Sequence, residues 1–121
     1  MSDNQNPKTK FDLEERTTNF AKRVIKICKG LPRGPINDRI INQVIGCSGF
    51  VGANYREAND SLGKKDFAMR IKIARKEAKE TIHWLILLAE ANKHQEKEIQ
   101  ELSQEAMEFK NIFSAIINKT A

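Results

Sequence analysis

An all-α protein is predicted, an antiparallel up-down bundle of four helices, and three observations predict it. Apolar residues recur at alternating steps of three and four along four separate stretches, the spacing that lays a stripe along one side of a helix. Short turns join those stretches, so sequence neighbours are expected to pack antiparallel. Only 7% of the chain is aromatic, and six glycines and three prolines are too few for the many tight turns of a β-sandwich.

The first helix follows a polar leader over residues 1–10 and opens the single domain expected over residues 11–121. Its stripe is Leu13, Thr17, Phe20, Val24, Ile27 and Leu31. Asp12 reads as its N-cap, with Glu14 and Glu15 in the first turn where the dipole favours anions, and Gly30 and Pro32 end it. Gly34, Pro35 and Asn37 form the next turn, and Asn37 or Asp38 is placed to cap the second helix.

The second stripe is Ile40, Val44, Cys47, Val51, Tyr55 and Ala58. Ile41, Ile45, Gly49, Phe50 and Gly52 leave little polar surface elsewhere on this helix, so more than one side is expected to be covered. Gly46, Gly49 and Gly52 each cost up to about 1 kcal/mol in a helix. Either close helix–helix approach compensates for them, or they break the segment.

Residues 59–63 read as a loop. Phe67, Ile71, Ala74, Ala78, Ile82, Leu85 and Leu88 or Ala89 mark a long third helix ending near Asn92, roughly 40 Å in length. Ile99, Leu102, Ala106, Phe109, Phe113 and Ile116 mark the fourth.

The third helix changes character along its length. In its first half Lys65, Lys72, Lys76 and Lys79 lie opposite the apolar stripe; Lys64 and Arg75 flank them, with Asp66, Glu77 and Glu80 on the other flank. In its second half Ile82, Trp84, Leu85, Ile86, Leu87 and Leu88 point in nearly every direction. One bundle does not cover all of these, and a monomer rarely exposes so large a patch. Self-association is the expected consequence, with Trp84 as anchor and Ile86 and Leu87 beside it; a wide buried face inside a monomer is the alternative.

The chain's 121 residues bury about two thirds of their unfolded surface, enough for one core without disulfide or metal. An apolar fraction of 40% beside a charged fraction of 31% excludes a membrane-embedded or disordered chain. The polar start lacks a secretion signal, and the most apolar run, residues 82–91, is about half a membrane span. Cys28 and Cys47 read as core thiols of a reducing compartment, so a cytoplasmic protein is expected.

Catalytic and metal readings fail. Glu80 and His83 form one Glu-x-x-His pair, but a di-iron bundle needs two such pairs and two more glutamates, all facing inward. Leu62-Gly63-Lys64-Lys65 ends like a phosphate-binding loop, yet Ala58 replaces its first glycine and Lys65 its magnesium-binding hydroxyl. No base stands near a nucleophile. No enzyme, no cofactor and no metal is expected.

Charge is the remaining signal. The net charge is +5, and its distribution is uneven: residues 1–80 carry seventeen basic and ten acidic groups, residues 81–121 four and six. Lys22, Lys26 and Lys29 line the outer face of the first helix, as Lys65, Lys72, Lys76 and Lys79, with Arg75 at their flank, line that of the third. Such rows can track phosphates of RNA or DNA; they also suit a solvated surface. No aromatic interleaves them, which argues against base stacking.

The stretch Ser48-Gly-Phe-Val-Gly-Ala-Asn-Tyr-Arg-Glu-Ala58, with Lys64-Lys-Asp-Phe67, Lys76-Glu-Ala-Lys-Glu-Thr-Ile-His-Trp-Leu85, the opening Phe11-Asp-Leu-Glu-Glu-Arg-Thr17 and Leu31-Pro32, resembles a bacterial family of four-helix bundles. Its members were first noticed as products of intervening sequences in 23S rRNA genes and are often labelled S23 ribosomal proteins. The resemblance spans about residues 11–118. It implies a homo-oligomeric ring of five, and a likeness in architecture to accessory proteins of diversity-generating retroelements, which contact nucleic acid and a reverse transcriptase. It also singles out Asn54, Arg56 and Glu57 beside Tyr55, expected to form an interhelical or intersubunit polar network. Two departures stand out: Gly63 replaces a serine usual in relatives, and Gly49 and Phe50 replace smaller or aliphatic residues. The function implied is a non-enzymatic oligomer binding nucleic acid through its basic faces; the alternative is a scaffold for another protein.

Overall fold

The computed structural model describes residues 7–120, with side chains for residues 12–120. Four helices account for nearly all of them: α1 (Pro7–Lys29), α2 (Pro35–Asn59), α3 (Lys64–Ala91) and α4 (Glu96–Thr120), with one 3-10 turn at Lys93–Gln95. There is no strand among the described residues. Each helix touches two others, α1 packing on α2 and α4, and α3 on the same two, while none of the described residues joins α1 to α3. The four helices therefore stand as the corners of a bundle, α1 diagonal to α3.

The stripes read from the sequence form the core. Leu13, Phe20 and Val24 of α1, Val44, Val51 and Tyr55 of α2, Ile71, Leu85 and Leu88 of α3, and Leu102, Phe109 and Phe113 of α4 are all buried in one cluster. Its centre is aromatic: Phe20 meets Phe109 edge-on at 5.4 Å, and Tyr55 stacks on Phe113 at 5.8 Å. On α1 the stripe turns slightly, so that Cys28 is buried where Ile27 was expected and Ile27 is only partly covered.

The helix ends differ from their sequence readings. Helix α1 begins at Pro7, whose missing N–H costs nothing in a first turn, so Asp12 lies inside the helix and caps nothing. Glu14 and Glu15 consequently lie beyond the first turn. The expected leader falls outside the described residues over 1–6, and residues 7–10 are helical. At the other end Gly30 and Leu31 donate back to Ile27 and Cys28, and Pro32 prevents continuation.

Helix α2 starts with Gly34 as N-cap and Pro35 in the first turn, not at Asn37 or Asp38. Asp38 instead reaches back to accept from the Gly34 amide and from Arg33, which holds its carboxyl below the ordinary carboxylate range. Asn37 is buried and joins α2 to the end of α3. Its Nδ2 donates to Asn92 Oδ1 at 2.9 Å and to Pro32 O, while Asn92 Nδ2 returns a 2.9 Å bond to Asn37 Oδ1 and donates to Leu88 O.

The three glycines do not break α2, which runs unbroken for 25 residues. Only Gly52 serves a close approach. A Cβ there would lie 2.8 Å from Thr17 Oγ1, whereas Gly46 and Gly49 face open space.

Two ionic ties fasten α1. Arg16 donates to both Glu105 carboxylate oxygens at 2.7 and 2.8 Å and to Glu108 at 2.7 Å, and lies over the Phe109 ring. These carboxylates raise the Arg16 pKa further above its ordinary value and lower that of Glu105. On the other side Arg56 of α2 bonds α1, as described below.

Candidate nucleic-acid interface

The outward face of α3 is set by its inward one. With Phe67, Ile71, Ala74 and Ala78 committed to the core, Lys65, Lys72, Lys76 and Lys79 are turned away at the helical period and are exposed. Lys72, Arg75, Lys76 and Lys79, with Glu80 and His83, line one shallow groove along the helix. Arg75 is held onto α4 by a 3.3 Å bond from Nη1 to Ser114 Oγ. Past Glu108, α4 carries Lys110 and Lys119 and no carboxylate, so nothing acidic on that helix faces this stretch.

Among the described residues Glu80 lines the groove, and Glu77 lies toward α2. Glu77 is partly buried there, and burial, then its neighbour Glu80, raises its pKa. Both lie near Cys47 of α2, whose thiol burial also pushes up. Burial pushes Cys28 up to about 11. Both cysteines are free and buried.

Lys65 stands about 10 Å along the axis from Lys72, outside the groove but on the same face. Lys22, Lys26 and Lys29 are exposed on α1, at the corner diagonal to α3, so one chain does not merge the two lysine rows into one surface. Lys29 instead lines a separate groove between α1 and α2 with Ile25, Arg33, Ile41 and Ile45.

In the Asn-Tyr-Arg-Glu segment, Arg56 ties α2 to α1 by polar bonds. Its Nη1 donates to Glu14 Oε1 at 3.0 Å, and its Nη2 to Thr18 Oγ1 at 3.0 Å and to Glu14 O. Asn59 completes the set by donating to Glu14 Oε2 at 2.9 Å. Tyr55 is fully buried and serves the core, Asn54 donates within α2 to Phe50 O, and Glu57 is exposed. Sequence reading missed Glu14 and Thr18 as Arg56 partners, and Asn59 as a further donor to Glu14, because no periodicity links residues on different helices.

The second half of α3 is partly covered. Leu85, Leu88 and Ala89 are buried, and Trp84 is half-buried against the core with its ring edge-on to His83. Part of Trp84 therefore packs on the core of its own chain, and part stays exposed. Ile86 and Leu87 remain outside, 59% and 39% exposed. Among the described residues no three His, Cys, Asp or Glu side chains are grouped as metal ligands, and no helix is long and apolar enough to cross a membrane.

A crystal structure of a protein of unknown function from the S23 ribosomal protein family of Bacteroides thetaiotaomicron is similar throughout. It shares 26% identity, with a TM-score of 0.77, over 90% of this chain and 97% of that one. No curated protein matches the chain. The model of the family described as 23S rRNA-intervening sequence protein matches residues 9–115, and the chain belongs to that family.

Proposed function

We propose that this chain is a non-enzymatic, oligomeric, cytoplasmic protein that holds RNA or DNA by its phosphates along the outer face of α3. The groove carries the reading: Lys72, Arg75, Lys76 and Lys79 converge there against the single carboxylate of Glu80. It contains no Phe, Tyr or Trp, which favours backbone contact over base stacking. The pairs Thr17 with Gly52, Arg56 with Glu14 and Asn37 with Asn92 support an up-down antiparallel course. Exposed Ile86 and Leu87 support self-association, for which the family likeness suggests a ring of five.

Binding of a fluorescent structured RNA and a matched duplex DNA, titrated with salt, tests the nucleic-acid reading. Affinity should fall log-linearly with salt. Combined Lys72→Glu, Lys76→Glu and Lys79→Glu should lower the slope by about 0.9 for each phosphate no longer neutralised, alike for all sequences. No binding at low salt, or no change in the triple variant, removes the assignment. The first of these outcomes leaves a scaffold for another protein.

A further inference from the structure

The outward line of α3 does not stop at Lys79. Lys72, Lys76 and Lys79 follow one another at steps of four and three, and the next step of four falls on His83. Alternating steps of three and four keep to one side of a helix, so His83 stands in line with the lysines. It lines the same groove and is exposed. From Lys72 to His83 the line runs about 16 Å, long enough to meet several successive phosphates. Beyond it the same steps reach Leu87 and then Glu90, so His83 closes the row.

Few charged groups face His83. Lys76, Lys79 and Glu80 share the groove on α3 itself, and Glu90 lies two turns beyond. Helices α2 and α4, which pack on α3, contribute no side chain to the groove. Between Arg39 and Arg56, α2 carries no ionic side chain, and its Cys47 is buried. On α4 the cation nearest in sequence to Ser114, which Arg75 bonds, is Lys110. Glu77 lies toward α2, near Cys47. The imidazole itself meets the Trp84 ring edge-on at 5.1 Å.

We propose that His83 is a proton-dependent phosphate contact at the end of the α3 row, so that RNA or DNA binds more tightly when the imidazole is charged. The proposal rests on the nucleic-acid reading above and adds one residue to that site. Histidine is the side chain whose charge ordinarily changes between about pH 5 and 8. Neutral, the ring offers one N–H; charged, it offers two and a positive charge, which strengthens a bond to a phosphate oxygen. Because phosphate favours the charged ring, binding takes up a proton. Lysine side chains ordinarily keep their charge over the same range, so the rest of the row supplies a constant pull and His83 a variable one.

The test uses the full chain with the structured RNA and duplex DNA named above, at about pH 8 and about pH 5.5, with circular dichroism to confirm folding. Wild type should bind about two- to fivefold more tightly in acid, and its salt slope on the duplex should steepen by about 0.9, the mark of one more phosphate. His83→Gln should bind equally at both values, with the weaker affinity. His83→Lys should bind equally at both, with the tighter one. His94→Gln, in the turn before α4, should keep the wild-type difference. Glu77 also favours a polyanion when protonated, and it is retained in His83→Gln. A pH difference that survives that substitution therefore overturns the proposal, as does wild-type binding that ignores pH. Trp84, the single tryptophan, supplies a readout independent of affinity. A charged imidazole quenches indole emission, so emission should fall in acid, and unlabelled duplex should move the midpoint of that fall to higher pH. A midpoint that stays in place while the duplex binds overturns the proposal alone. No binding at either pH in low salt removes the nucleic-acid reading with it.

Discussion

The two halves of α3 share an inward face and differ outward. Inside, Phe67, Ile71, Ala74 and Ala78 continue without a break into Leu85 and Leu88, all buried. Outside, Lys65, Lys72, Lys76 and Lys79 give way within about two turns to Ile86 and Leu87. The core constrains one side of a helix and leaves the other free to vary. Along that outer side the surface changes from charge to hydrocarbon.

Inward truncations should damage both halves equally. Ile71→Ala and Leu85→Ala, each fully buried, are expected to lower unfolding stability by about 2–5 kcal/mol, read from denaturant melts. Outward changes such as Lys76→Glu and Ile86→Asp should move the monomer's stability by less than about 0.5 kcal/mol. A large loss at Ile86 in monomeric protein would mean that its face is part of the core.

The two ends of α3 contrast as well. Asn92 closes the C-terminus with buried amide bonds to Asn37 and Leu88, whereas Gly63 caps the N-terminus with no side-chain bond. Asn92→Ala strands the Asn37 amide and should cost about 1–3 kcal/mol, less once Asn37 is also replaced by an apolar residue. Gly63→Ser meets open space and extended backbone, and should gain a few tenths of a kcal/mol.

Two glutamates should respond oppositely to pH. Arg16 holds the Glu105 carboxyl below its ordinary value of 4.5, so its stabilisation is present above that value and is lost as pH falls through the lower folded one. Burial raises Glu77, so the folded state favours its protonated form and ionisation costs stability as pH rises through the raised value. Glu105→Gln should therefore destabilise at neutral pH, and Glu77→Gln should stabilise slightly. Melting curves at neutral and acid pH should show both differences shrinking in acid.

Two glycines of α2 make a further contrast. Gly49→Ala should gain about 0.5–1 kcal/mol from helix propensity alone. Gly52→Ala gains the same propensity but drives a methyl into Thr17, and should come out destabilising. Equal effects at the two sites would show that Thr17 gives way freely.

Most of this fold was legible because helical periodicity is a local property. Nearly every stripe residue named from spacing is buried, and the four helices lie where the stripes put them. Helix starts were less legible: Pro7 and Pro35 begin helices for which Asp12 and Asn37 or Asp38 looked the better caps. Of the three glycines, spacing alone did not show which one met another helix. The lysines of the candidate site were individually visible, but their division between diagonal corners was not. The same holds for Trp84, which packs partly on its own core, and for Arg56, whose partners lie some forty residues away in the chain.

By itself the sequence determined the class, the four stripes, the charge of each helix face and the family. Side-chain direction along a helix follows from 3.6 residues per turn and needs no knowledge of the neighbours. Only the tertiary structure decided which faces meet, which buried amides pair, and which side of the bundle is acidic and which basic. Those depend on how whole helices are set against one another, a long-range arrangement that no local spacing encodes.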